Sequence, residues 1–161
     1  MLPNWEDRPL TIANLLNPAF CGEVIRRCIT EFQKINNAGL PFQLAFLILP
    51  IILNKSVRES LPKTSLKNFV AWIEENQILK KDLPNIIKNI VPYSKEAIMF
   101  LMMYRVVKIN ESGNFEAITK NKPITEENEV TECYRKAEIL GKLFAKAGTS
   151  QFIFINLSVK P

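Results

Sequence analysis

The stretch that decides the fold is Ser94–Thr119, with the sequence SKEAIMFLMMYRVVKINESGNFEAIT. Its first serine can cap a helix, and the apolar run after it predicts a helix to about Tyr104. Two short β-favouring segments, Val106–Ile109 and Phe115–Thr119, then flank a turn cluster that contains a glycine. This pattern predicts a β-hairpin. A helix that leads into a hairpin is typical of winged-helix domains, a variant of the helix-turn-helix.

The segments before this stretch predict two further short helices. Ser65 can cap a helix that ends near Asn76 and carries leucine, phenylalanine, valine and isoleucine on one face. Leu83-Pro84 then begins a helix that stops before Pro92, because proline lacks the backbone donor that a helix interior needs. Three short helices followed by a hairpin give residues 65–119 the element order of a winged-helix unit.

The N-terminal third predicts an arm and two core helices. Two prolines favour an extended arm over residues 1–16. Asn17-Pro18 is a strong helix start, and an amphipathic helix of about five turns follows it. Leu40-Pro41 begins a second helix to about Asn54 that is apolar on nearly every side, as buried central helices are. Residues 17–54 are therefore expected to supply the core helices.

The C-terminal third predicts one long helix and a strand. A polar linker over residues 121–128 leads into an amphipathic helix, Glu126–Ala147, and Gly148 is a natural stop for it. Phe152–Leu157 is apolar throughout, which favours a strand that is covered on both sides or paired across an interface. The last segment, helix plus terminal strand, spans residues 126–161.

The predicted fold is mainly α with small β, in the α+β class, and winged-helix-type. A chain of 161 residues fits a single compact domain, or two small winged modules that share one core. We expect a helical core with a β-hairpin wing and a C-terminal strand.

The composition excludes most catalytic mechanisms. The chain has no histidine, which removes Ser-His-Asp and Cys-His catalysis and every zinc site that uses histidine. It has only five glycines and no phosphate-binding loop, and its three cysteines form no CxxC pair. We therefore predict no enzyme activity, no cofactor and no metal. The remaining catalytic alternative is Cys21 as a nucleophile near a helix start, although nothing near it in sequence supplies a base.

The net charge of +5 comes entirely from the middle of the chain. Residues 55–108 hold ten basic and five acidic side chains, whereas the segments on either side are each balanced. Such an excess serves nucleic acid, an acidic protein partner or solubility. The residues that would contact nucleic acid are Lys63, Lys67, Lys80, Lys81, Lys88, Arg105 and Lys108, with Lys95 beside them.

The predicted third helix, Ser94–Tyr104, is poorly suited to reading DNA. It carries only Lys95 and Glu96 as charged residues and has no asparagine or glutamine, whereas a major-groove helix needs donors and acceptors for base edges. Its apolar side chains fall on two sides of the helix. The side with Met99, Phe100 and Met103 is a candidate protein contact, since methionine-rich surfaces adapt to partners. The alternative is that both sides are buried within the chain.

The chain is expected to be soluble and cytoplasmic. No apolar run typical of a signal peptide begins it, and the longest apolar stretch, Leu44–Leu53, is half the roughly 20 residues that a membrane helix needs. Unpaired cysteines fit a reducing compartment. No membrane contact and no small-molecule substrate are predicted.

Several blocks of sequence resemble one family. Residues RPLTIANLLNPAFCG (8–22), LPFQLAFLILPIIL (40–53), RESLP (58–62) and the helix start KEA (95–97) are similar to the middle component of bacterial three-component ABC-ATPase conflict systems. The ending LSVKP (157–161) resembles a Leu-Gly-Val-Arg-Pro-type terminus, with serine in place of glycine and lysine in place of arginine. The resemblance covers most of the chain.

The resemblance implies a non-catalytic accessory subunit. Such a subunit would bind an SMC-like ABC ATPase and help to assemble or restrain an effector, a nuclease, in an anti-phage or anti-plasmid defence complex of the Lamassu type. DNA would be met through the complex. The pair Arg58-Glu59 lies in a predicted polar loop over residues 56–64, where it forms either an intramolecular salt bridge or a partner contact. A winged-helix DNA-binding regulator is the alternative function.

Overall fold

A computed structural model describes residues 1–64 and 66–161 of the chain. The described part is mainly helical with one small antiparallel sheet. Short 3-10 turns lie at Trp5–Asp7 and Phe42–Leu44. The strands are β1 (Leu40–Pro41), β2 (Val107–Ile109) and β3 (Asn114–Ala117). The helices are α1 (Leu10–Leu15), α2 (Pro18–Ile35), α3 (Ala45–Leu53), α4 (Lys55–Ser60), α5 (Phe69–Glu75), α6 (Leu79–Met103), α7 (Glu129–Ala147) and α8 (Ser150–Leu157).

Helix α2 begins where the sequence predicts. The Asn17 side chain accepts a hydrogen bond of 2.8 Å from the Ala19 amide, and Pro18 occupies the first helical position. The cap satisfies an amide that has no partner inside the helix, and the fixed φ of proline suits that place. Val24 and Phe32 face the core, as the spacing predicts, whereas Ile35 at the last position is exposed.

Two glycines bring α2 close to the helices on either side of it. A Cβ atom added at Gly141 of α7 would lie 2.3 Å from the carbonyl oxygen of Cys28, closer than any real contact. A Cβ atom added at Gly22 would lie 3.1 Å from the flexible side chain of Leu101 in α6. The α2–α7 crossing therefore places backbone against backbone, and the α2–α6 crossing is closed by a side chain.

Helix α3 is the buried central helix, and it starts later than predicted. Seven of its residues are buried, including Leu47, Pro50 and Ile52. Leu40-Pro41 does not begin it but forms β1, because Leu40 pairs with Phe115 of the hairpin. Gly39 makes this turn with a φ of +81°, which a residue without a Cβ adopts freely.

The predicted hairpin is confirmed. Strands β2 and β3 pair antiparallel, with Lys108 opposite Glu116, and β1 adds on the other side to give the order β1-β3-β2. The Asn110 side chain accepts hydrogen bonds of 3.0 Å from the amides of Ser112 and Asn114. These bonds hold the turn and are the mechanism by which asparagine favours such positions.

The two helices predicted around Pro92 form the single helix α6, so the predicted break is wrong. Pro84 and Pro92 both lie inside α6. Each proline deprives the carbonyl four residues earlier of its partner, at Lys80 and Lys88. Lys88 is exposed, so its carbonyl can bond to water, while Leu83 and Leu101 anchor the helix in the core on either side. Burial of this face offsets the local loss.

The helix predicted to end near Asn76 begins later than expected, and part of the predicted 56–64 loop is helical. Ser65, the expected cap, lies outside the described residues. Helix α5 begins instead after Asn68, whose side chain accepts a hydrogen bond of 2.8 Å from the Ala71 amide. Helix α4 covers the first part of the predicted 56–64 loop, and Asn54 before it caps α4 by accepting from the Val57 amide at 3.2 Å.

The N-terminal segment is not the extended arm that its prolines suggest. It contains the turn Trp5–Asp7 and the helix α1, and Pro9 is the residue directly before that helix. Arg8 then fastens the segment to α6, with two hydrogen bonds of 2.8 and 2.6 Å from its guanidinium to the Glu96 carboxylate. A two-bond arginine–carboxylate pair is among the stronger polar contacts in proteins.

The predicted C-terminal strand is wrong, because Phe152–Leu157 lies within α8. Thr149 caps this helix by accepting from the Phe152 amide at 3.2 Å. Ile153, Phe154 and Leu157 are buried, a helical spacing that an all-apolar segment hides from a reader of the sequence.

Helix α7 forms as predicted, with a reciprocal cap between Asn128 and Thr131 and an end at Gly148. On its apolar side Leu140 and Phe144 are buried, while Val130 is 44% exposed. The helix packs along α2 and forms most of the core together with α3 and α6.

Ion pairs at the α2–α7 seam hold the linker between β3 and α7. The Arg26 guanidinium bonds to Glu23 and, at 3.1 Å, to the Thr119 carbonyl. The Arg27 guanidinium bonds to Glu23 at 2.7 Å and to Glu138 of α7 at 2.6 Å. Both arginines are 5% exposed, although the sequence places them on the polar side of α2. Buried charges are tolerated because each is paired.

The α2–α7 contact predicts unequal effects of two similar substitutions. Gly141→Ala is expected to lower the free energy of unfolding by about 3 kcal/mol, since backbone must move to admit the methyl group. Gly22→Ala is the matched control and is expected to be nearly neutral, because Leu101 can shift and alanine favours helix. Denaturant unfolding followed by circular dichroism measures both. Equal losses would contradict the assignment of the backbone crossing.

The ion pairs of Glu23 with Arg26 and Arg27 predict that the protein loses stability in acid. Burial raises the pKa of Glu23, but hydrogen bonds and charges from Arg26 and Arg27 outweigh it and hold the pKa below its ordinary value of 4.5. A lowered folded-state pKa gives stability that is present above pH 4.5 and lost as pH falls through the folded value.

Glu23→Gln is therefore expected to lower the free energy of unfolding at pH 7 by about 1–2 kcal/mol. The difference in free energy of unfolding between this variant and the native chain should narrow below pH 4, as measured by denaturant unfolding across a pH series. A difference that stays constant down to pH 3 would contradict the role of the ionised carboxylate.

Candidate protein-docking surface

The last turns of α6 present apolar side chains to solvent. Met99 is 70% exposed, Met103 72% and Tyr104 63%. Phe100 is half-buried and packs on the Tyr104 ring with 4.6 Å between ring centroids. The opposite side of the same turns, with Ala97 and Leu101, is buried. The predicted partner contacts Met99, Phe100 and Met103 are therefore placed together at the surface and not inside the core.

Two residues belong to this surface that the sequence reasoning missed. Met102 directly follows the buried Leu101, yet it is 39% exposed. Its place three residues after Met99 is the signal that assigns it to the exposed side. Tyr104 directly follows Met103, the last residue of α6, and its side chain is exposed. We call Met99, Phe100, Met102, Met103 and Tyr104 the methionine surface.

The end of α6 is built around an arginine in a left-handed conformation. Arg105 has a φ of +54° and follows the last helical turn. The Val106 amide donates a hydrogen bond of 2.9 Å back to the Leu101 carbonyl, and the Arg105 amide donates one of 3.0 Å to Met102. This pattern is the Schellman motif, where glycine is the usual residue at the left-handed position. Arginine there is exposed and carries a backbone cost that glycine avoids.

The seven predicted nucleic-acid contacts do not converge on one site. Lys63 and Lys67 precede α5, and Lys67 is paired with Glu75. Lys108 lies on β2 and pairs with Glu116 at 3.2 Å. The others, Lys80, Lys81, Lys88 and Arg105, lie on α6 or directly after it.

Because α6 is one unbroken helix, it places some of these lysines on the same side. Lys81, Lys88 and Lys95 are seven residues apart, so they lie on one side of a single helix. All three are exposed, and among the described residues none of the three forms an ion pair. The predicted break at Pro92 conceals this alignment from the sequence.

The structure buries one residue of the predicted contact Arg58-Glu59 and exposes the other. Arg58 is 2% exposed, and its guanidinium donates to the Ile52 carbonyl at 2.9 Å and to the Glu129 carboxylate at 3.1 Å. Its Nε atom lies 3.4 Å from a Glu132 oxygen. Arg58 thus joins α4 to the end of α3 and the start of α7. Glu59 is exposed and lies 3.9 Å from Lys55.

A mostly apolar groove of about 590 Å³ lies beside Arg58. It runs between α1, the start of α2 and the start of α7. Its lining includes Ile12, Leu15, Phe20, Leu53, Val130 and Tyr134. The charged residues in its lining, Arg58 and Glu129, are paired with each other.

The structure does not support Cys21 as a nucleophile. Cys21 is fully buried, and burial raises the pKa of its thiol to about 12. Burial likewise raises the pKa of Cys28 and of Cys133. A thiol is reactive as its thiolate, which these sites disfavour.

The described residues contain neither a cluster of metal ligands nor a helix that could span a membrane. Across residues 1–64 and 66–161, no three cysteine or carboxylate side chains converge as a metal ligand set would. In the same part of the chain, every helix is too short or too polar to span a bilayer.

The comparison with protein families gives one match. A family model described as "ABC-three component (ABC-3C) system Middle Component 3" matches residues 5–161 of the chain. No curated protein and no solved structure matches it.

The thiol environments predict slow chemical modification. All three cysteines should react with a thiol reagent only after unfolding, since each is buried and its thiolate is disfavoured. The measurement is the rate of colour release from Ellman's reagent in native buffer and in denaturant. Fast reaction of one thiol in the native protein would revive the nucleophile hypothesis, and peptide mapping would show whether that thiol is Cys21.

Proposed function

Because the chain belongs to the middle component 3 family of ABC-three component systems, we propose that it is a non-catalytic accessory subunit of such a system. The match over residues 5–161 is the observation that carries the proposal. In this role the chain binds an SMC-like ABC ATPase and helps to assemble or restrain an effector nuclease. The defence complex is of the Lamassu type and acts against phage or plasmid DNA.

The methionine surface supports a binding role. Monomeric proteins seldom expose several large apolar side chains side by side without a partner for them. Methionine, tyrosine and arginine are also enriched where proteins meet. The buried thiols and the missing histidine leave few groups that could supply general acid–base or nucleophilic chemistry.

We further propose that the fold is a winged-helix variant. The supporting observation is the sheet order β1-β3-β2, in which a short strand after the first core helix pairs with the second strand of the hairpin. In this assignment α2, α3 and the second half of α6 are the three helices, and β2 and β3 form the wing. The helices α4 and α5 are then an insertion, so the unit extends beyond residues 65–119.

Co-expression with the ATPase and effector encoded beside this chain tests the function. The tagged chain should recover the ATPase, and recovery should survive nuclease treatment. Recovery of DNA alone would favour the winged-helix DNA-binding regulator, with binding that weakens steeply as salt increases. Recovery of neither would contradict the accessory role.

Substitution of the methionine surface makes the test specific. Met99→Glu with Met103→Glu should reduce ATPase recovery at least about tenfold, since charges in an apolar contact are costly. Ile155→Glu is the control, because Ile155 is 75% exposed and lies on a different helix, α8. Both variants should keep the native circular dichroism spectrum. Equal recovery from all three proteins would contradict the assignment of this surface.

A further inference from the structure

We infer that the outer side of α6 is one continuous docking site for an acidic amphipathic helix of a protein partner. The site is a stripe formed by Lys81, Lys88, Lys95, Met99 and Met103. It rests on the proposed function as a subunit and adds which chemistry the partner presents. The methionine surface is its apolar end.

The stripe follows one side of α6. Successive members are seven or four residues apart, which keeps them within about 80° of one another around an axis with 3.6 residues per turn. From Lys81 to Met103 it extends about 33 Å at 1.5 Å per residue. A seven-residue repeat is the spacing at which two packed helices meet repeatedly. The shape therefore fits a second helix that lies along α6.

The charge of the stripe is positive and uncompensated. Among the described residues, Lys81, Lys88 and Lys95 have no carboxylate partner within ion-pair distance. Glu96, on the flank of the stripe, is held by the buried Arg8 guanidinium at 2.6 Å, and Asp82 lies farther round the helix. Complementary charge requires acidic side chains on the partner at seven-residue intervals.

The apolar end of the stripe favours a protein partner over DNA. Met99 and Met103 are exposed and have no favourable contact to offer phosphates. Three stripe lysines and Arg105 are also few beside the roughly 6–10 phosphate contacts of DNA-binding proteins with strong salt dependence. A helix with acidic residues along most of its length and apolar residues at one end matches both parts of the stripe.

Arg105 adds a positive charge directly after the apolar end of the stripe. It occupies a left-handed position, with φ +54°, where glycine would be less strained. Ser158 has the same conformation after α8, so the backbone there marks the end of a helix and the side chain of Arg105 carries the argument. The exposed guanidinium lies directly after the methionine surface, where it can pair with a terminal carboxylate of the same partner helix.

The first test uses photo-crosslinking in the co-expressed complex of this chain, the ATPase and the effector. A benzoylphenylalanine replaces Lys88 or Met99, and Ile155 is the control position. Crosslinks from both stripe positions to an acidic helical segment of one partner, absent from the control, are expected. Crosslinks to DNA, or a complete complex with no stripe crosslinks, would overturn the inference while the subunit role stands. Failure of any complex to form would contradict the proposed function itself.

The second test reverses charges. Lys81→Glu, Lys88→Glu and Lys95→Glu together should reduce partner recovery at least about tenfold, because like charges would then face each other across the contact. The control triple Lys55→Glu, Lys120→Glu and Lys160→Glu makes the same change of charge on other exposed lysines and should leave recovery unchanged. Lysine substituted for the crosslinked acidic residues of the partner should restore recovery with the stripe variant. Equal loss from both triples would overturn the stripe in favour of overall charge.

Arg105→Gly separates binding from folding. The variant should raise Tm by about 2–4 °C, because glycine relieves the left-handed strain. It should nevertheless weaken partner recovery. A variant that gains stability and binds as well as the native chain would overturn the role given to Arg105.

Discussion

The contact on which the rest of the structure depends is the crossing of α2 and α7 at Gly141. There the two backbones approach so closely that any side chain would strike the Cys28 carbonyl. This crossing sets the position of α2, and α2 in turn supports α6 through Gly22 and Leu101. The outer side of α6 therefore faces solvent because of packing that begins at the α2–α7 crossing.

The polar network at the same crossing has a different task. Glu23, Arg26, Arg27 and Glu138 link α2 to α7, and the two arginines also bind carbonyls of the segment after the hairpin. Such pairs add little net stability when compared with apolar packing, but breaking one partner leaves a buried charge. The network thus fixes the path of the linker and, through it, the position of the hairpin relative to the helices.

Local signals in the sequence predicted the elements that local chemistry decides. Asn17-Pro18, the hairpin with its asparagine turn and the Gly148 stop are all confirmed, because capping and turn residues act on their immediate neighbours. The expected protein contacts on the last turns of α6 also lie at the surface. Their exposure does not follow from the sequence, because a helix that is apolar all round can be buried on every side, as α3 is.

The sequence reasoning failed where tertiary packing overrides local preference. Pro92 breaks a helix in isolation, but here the freed carbonyl of Lys88 lies on an exposed side while Leu83 and Leu101 are anchored. Phe152–Leu157 favours a strand by composition, but a cap at Thr149 and a core that accepts Ile153 and Leu157 make it helical. The burial of Arg58 depends on Glu129 and Glu132, more than seventy positions later, which no local pattern reveals.

The most direct test is hydrogen–deuterium exchange of this chain alone and together with the ATPase proposed as its partner. We expect slower exchange on binding at the end of α6 and the start of the hairpin, over residues 99–107, with α8 unchanged. Protection confined to α8 or to the groove beside Arg58, with α6 unchanged, would contradict this expectation.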